Sequence, residues 1–171
     1  NGDQSVTVTI TENESAPTVT LSVSATSIAE NAGTSITVTA TLSGATDEAV
    51  TVALSTSGTA TEGTDYGTIS DITISSGDTT GTASFTPTDD NLYETSTNET
   101  ATVSITGVSG GSATESGSQS VTITIEENES APTVTLSTSA TSIDENSGSS
   151  LTLTATLSVA TTADVTVTIG T

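Results

Sequence analysis

The sequence predicts an all-β protein, a seven-strand Greek-key β-sandwich carried in tandem repeats of 115 residues. Three observations lead there. Val, Ile, Leu and Ala alternate with Thr and Ser, the period of a half-buried strand. No segment has a helical period. The chain also matches itself at one offset: QSVTVTITENESAPTVTLS at 4–22 returns as QSVTITIEENESAPTVTLS at 119–137, and SATSIAENAGTSITVTATLS at 24–43 as SATSIDENSGSSLTLTATLS at 139–158. The expected division is 1–15 as the last strand of a preceding repeat, 16–130 as one complete repeat and 131–171 as the first strands of a following one.

Within the complete repeat each strand is read from its inward-facing residues. The first carries Val19, Leu21 and Val23; the second Ile36, Val38, Ala40 and Leu42; the third Val50, Val52 and Leu54. Ile69, Ile72 and Ile74 define the fourth, and Ala83 and Phe85 the fifth. Ala101, Val103 and Ile105 make the sixth; Val121, Ile123 and Ile125 make the last. Turn residues part them: ENAG at 30–33, Ser43-Gly44, the glycines at 63 and 67, SGD at 76–78, the glycine-rich 107–117 and EEN at 126–128. Seven strands with one apolar face each are satisfied by two sheets packed face to face. Phe85, Tyr66 and Tyr93 are the only aromatics, so the core is expected to be light, with the tyrosines under their own loops.

Composition narrows function. There are 21 acidic residues and no Lys, Arg or His, for a formal charge of −21; Cys, Met and Trp are absent, and roughly two residues in five are Ser or Thr. Nucleic acid and anionic membranes are recognised through cationic side chains, so neither is an expected partner. No apolar run reaches the length of a membrane span, so no direct insertion is expected. With no His, Lys, Cys or recognisable nucleophile motif, no enzymatic activity is expected. Asn13, Asn98 and Asn128 fit the N-glycosylation pattern, a weak signal in so Thr- and Ser-rich a chain.

The carboxylates gather in loops: Glu30, Asp65, Asp89, Asp90, Glu94, Glu99, Glu126 and Glu127. Alternate loops of a Greek key share one end of the sandwich, so these groups can converge there. Converging carboxylates must protonate or gather a cation, and an all-oxygen set on flexible loops suits Ca²⁺ better than octahedral Mg²⁺. The plainer alternative is a set of solvated charges that keep the protein soluble.

The segment 58–105 resembles the Calx-β repeat: Gly63-Thr-Asp65-Tyr66, Gly77-Asp78-Thr79, Asp89-Asp90, then Glu94 and Glu99 leading into a strand, with Glu30 in IAENAG at 28–33 as the early acidic residue. The resemblance implies an immunoglobulin-like sandwich with Ca²⁺ at one end, and Glu30, Asp65, Asp89, Asp90, Glu94 and Glu99 as ligands. Two features depart from the family pattern: a longer Glu94-to-Glu99 spacing, and Glu126-Glu127-Asn128 where the family closes its last strand with shorter acids. The expected role is a structural segment of an extracellular or cell-surface protein (a stalk, filament or adhesin) stiffened by calcium, which would draw in the linker carboxylates Glu127 and Glu129. Its partners would be neighbouring repeats and copies of itself. The alternative is an adhesive module that recognises a glycan or a partner protein.

Overall fold

In a computed structural model of the chain, residues 2–11, 13–94 and 98–170 are described. The repeat is all-β, as expected. One sheet sets β1 (Thr18–Val23) between β3 (Ile36–Leu42) and the short β9 (Thr114–Glu115), with β6 (Thr80–Phe85) beyond β3. The facing sheet runs β2 (Ser27–Ala29), β10 (Ser120–Glu126), β8 (Glu99–Ser109), β4 (Val50–Gly58), β5 (Ile72–Ile74). Between them lie Val19, Val38, Val50, Val52, Ile72, Ile74, Val103 and Ile123, all fully buried, while no polar or charged residue among those described is buried. Strict alternation produces this: every second residue is apolar and faces the opposite sheet.

Several elements differ from the sequence expectation. After β1 the chain crosses to the other sheet, where β2 pairs in parallel with β10, Ile28 beside Ile125. Three residues with one inward side chain carry no readable alternation, so β2 is invisible in the sequence. The fourth strand is confined to Ile72–Ile74, and Ile69 packs against the core from the loop before it. Tyr66 also enters the core, its ring stacked on Phe85 with centroids 4.7 Å apart. Such a pair adds about 0.5–1.5 kcal/mol beyond the area it buries.

The strand directions give the sandwich two ends. The tail end collects the loops after β2, β4, β6 and β10; the head end collects the start of β1 and the β3–β4, β5–β6 and β8–β9 loops. At the tail lies β7 (Leu92–Tyr93). Beyond the sandwich, β11 (Val134–Thr138) pairs with β12 (Leu153–Leu157), and β13 (Ala160–Thr161) lies parallel to β7. The β11–β12 register, Val134 opposite Leu157, is that of β1–β3, Val19 opposite Leu42, moved by 115 residues. Residues 4–11 make no strand pairing among the described residues, and Val6 is 88 % and Ile10 93 % exposed. Their near-copy at 119–126 is β10, flanked by β8 and β2.

Gly58 ends β4 at φ +135°, and a methyl group there would run into the carbonyl oxygen of Thr100, which accepts a hydrogen bond from the Ala60 N–H at 3.0 Å. Gly58→Ala is expected to lower the unfolding free energy by roughly 2 kcal/mol in chemical denaturation.

Candidate metal centre

The tail end is assembled on a buried anchor. Because Tyr66 is held in the core, its loop closes tightly: Gly63 N–H donates to the Tyr66 carbonyl at 2.7 Å, and Gly67 N–H to the Thr86 carbonyl at 2.9 Å. Asp65, the residue before it, has its carboxylate held by the Thr61 N–H at 2.6 Å. Its carbonyl accepts from Thr88 N–H at 3.0 Å, which ties the β4–β5 loop to the β6–β7 loop. Asp90 turns the chain into β7 by accepting from the Leu92 N–H at 2.7 Å. The Glu30 backbone is pinned to the last strand by a 3.0 Å hydrogen bond to the Glu126 carbonyl.

Glu127 acts as a clasp. One carboxylate oxygen accepts from the Glu94 N–H at 2.7 Å and the other from the Glu129 N–H at 2.8 Å. The chain leaving the sandwich is thereby held to the loop that precedes β8. Charge-assisted hydrogen bonds to backbone amides favour the ionised form. Burial pushes Glu127 up, but the amides of Glu129 and Glu94 outweigh it and leave its pKa below the usual value.

Two groups of three carboxylates result: Glu30 with Glu127 and Glu129, and Asp65 with Glu94 and Glu99. Within each, one oxygen from every residue lies within 4.8 Å of the others. The groups are electrostatically continuous. Glu30 is pushed up to about 7, first by burial and then by the charges of Asp90, Glu127 and Glu129. Glu99 is also pushed up to about 7, by burial, then by Asp65 and Glu94, and by Glu30 across the divide. Glu94 is raised by burial and by Asp65, Glu127 and Asp90. Glu129 is raised first by its side-chain hydrogen bond with Glu127.

Of the residues singled out from sequence, Glu30, Asp65, Glu94, Glu99 and Glu127 lie in these groups. Asp90 borders both as a charge, and exposed Asp89 acts on Glu129. Glu126 is exposed, serving Glu30 through its carbonyl. Glu129, read from sequence as a linker carboxylate and not as a member of that set, completes the first group from beyond the last strand.

The family model described as the Calx-beta domain matches residues 12–129. The chain belongs to the Calx-beta family. Its fold is similar to the crystal structure of the apo-form Calx CBD1 domain, at TM-score 0.53 and 19 % identity over 66 % of this chain and 99 % of that one. It is also similar to the crystal structure of CBD12 from CALX1.2, at TM-score 0.52 and 19 % identity, covering 64 % of this chain and 44 % of that one. No curated protein sequence matches it. Among its described residues, no helix is long and apolar enough to cross a membrane.

The donor set of this Calx-beta repeat fits a hard cation. Glu99 Oε2 and Glu129 Oε2, one in each group, are shut off from solvent and have no hydrogen-bond partner. An unpaired buried carboxylate oxygen is costly, and a cation satisfies it without a proton.

In the metal-free chain, Glu30 and Glu99 hold protons that the unfolded chain releases near the ordinary glutamate value of 4.5. The folded state therefore binds more protons between about 4.5 and 7, and stability falls as pH rises through that window. Chelator-treated protein should show a melting temperature that declines from pH 4.5 to 7 and levels off above it; Glu30→Gln should flatten part of the slope.

Proposed function

We propose that this Calx-beta repeat is a structural segment of an extracellular, cell-surface array (a stalk, filament or adhesin) in which Ca²⁺ at the tail end stiffens both the sandwich and its link to the next repeat. The observation carrying this reading is the first carboxylate group. Glu30 belongs to the body of the sandwich, whereas Glu127 and Glu129 belong to the peptide that leaves it. A cation shared by the three ties the departing chain to the domain. Glu30, Glu127 and Glu129 would hold one ion, and Asp65, Glu94 and Glu99 another, with Asp90 adding charge beside both.

The chemistry asked of calcium is neutralisation and cross-linking. It would replace the shared protons near neutral pH, and many weak oxygen contacts would then resist rotation of the linker. Extracellular modules bind Ca²⁺ with dissociation constants of about 10⁻⁴–10⁻³ M. At about ten times the dissociation constant, each occupied site adds about 1.4 kcal/mol to stability.

Calorimetric titration of the chain at pH 7.4 should show calcium binding, and saturating calcium should raise the melting temperature by several degrees over chelator. Glu99→Gln should weaken calcium binding by about tenfold or more, since it removes one charged ligand from a three-carboxylate group. No calcium heat and an unchanged melting curve, together with glycan or protein capture by the chain, would favour the adhesive alternative.

A further inference from the structure

A second surface lies at the opposite end. A cleft of about 600 Å³ at the head is lined by the arriving peptide Glu14–Pro17, by the β3–β4 loop at Ala45, Thr46 and Asp47, and by Gly111 and Ser112 of the β8–β9 loop. Its floor is held in shape: Gly77 N–H donates to the Thr46 carbonyl at 2.8 Å, and the Ser76 hydroxyl to the Asp47 carbonyl at 2.8 Å. The Asp47 N–H has no partner among the described residues.

The repeat itself says what belongs there. Moved by 115 residues, Glu14, Ser15, Ala16, Pro17, Ala45 and Thr46 become Glu129, Ser130, Ala131, Pro132, Ala160 and Thr161, each unchanged. Ala160 and Thr161 are β13, and β13 has an occupant: β7, at the tail of the complete repeat. There Ala160 lies opposite Leu92, Thr161 opposite Tyr93, and Thr162 N–H donates to the Tyr93 carbonyl at 3.2 Å. The counterpart of Thr162 is Asp47, whose N–H is the unpaired one.

We infer that the head cleft is the acceptor for the β7 loop of a repeat preceding this one in the same chain, docked by parallel strand pairing at Ala45–Thr46 with the Asp47 N–H as donor. Successive repeats then meet through a backbone-to-backbone joint at fixed register as well as through their linker. Main-chain pairing of an added strand supplies affinity while leaving side-chain identity free, so Thr162 and Asp47 serve the same joint. The inference rests on the array reading above but needs no metal.

The test keeps the full chain and lengthens it with a second copy of residues 16–130 inserted after Ser130, so that one head cleft faces a complete preceding repeat. The protein has no cysteine, so Leu92→Cys in the first repeat and Ala45→Cys in the second report on one contact. Register partners lie within disulfide reach. The pair should oxidise within the monomer about tenfold or more faster than Leu92→Cys with Ser84→Cys of the second repeat, since docking raises effective concentration. Tyr93→Cys with Thr46→Cys repeats the test should one pair perturb folding.

Preferential crosslinking in both calcium and chelator supports the joint and removes calcium as what holds it. Crosslinking in calcium alone supports the joint and the calcium reading together. No preference over the control pair, or disulfides only between separate chains, overturns the joint; a calcium-dependent melting shift in that same protein would leave the calcium reading standing.

Discussion

Repulsion among carboxylates, in a chain with no lysine, arginine or histidine to offset it, is the constraint that organises the tail of this sandwich. Three devices can relieve it: hydrogen bonds from backbone amides, shared protons, and an external cation. Glu127 uses the first, with an amide on each oxygen. Glu30 and Glu99, pushed up to about 7, use the second. The orphaned oxygens of Glu99 and Glu129 are what neither device reaches. Anchoring the arrangement is Tyr66, whose stacking on Phe85 commits part of a light core to holding the Asp65 loop still.

Much of this was legible in the sequence, and the limits have physical causes. Strand positions follow from alternation because side-chain direction reverses at every residue. Charge position is legible only to the level of a loop. Glu126 and Glu127 are chemically identical neighbours, yet one is exposed and the other clasps two amides. Which of them turns inward depends on where β10 ends, and a run of acidic residues does not mark that point. Glu129 was legible only as a linker charge, because nothing in the sequence shows that the Glu127 clasp folds that linker back onto the sandwich. β2 escaped because parallel pairing to β10 is a tertiary event with almost no local signature.

The repeated peptides separate what is local from what is contextual. β11 and β12 adopt the register of β1 and β3, so the hydrophobic pattern and turn suffice to set it. Burial does not come with it: Leu136 is 55 % exposed where its counterpart Leu21 is buried. Residues 4–11, a near-copy of 119–126, make no strand pairing among the described residues. A strand here is a property of the sheet it joins.

That dependence has a temporal side. The tail groups draw Glu30 from near the start of the repeat and Glu127 and Glu129 from its end, on peptides joined only when β2 pairs with β10. A ribosome delivers these residues in order, so the first group cannot exist until the last strand has emerged and docked. A cation bound there would therefore act as a lock on a finished domain rather than as a template for folding.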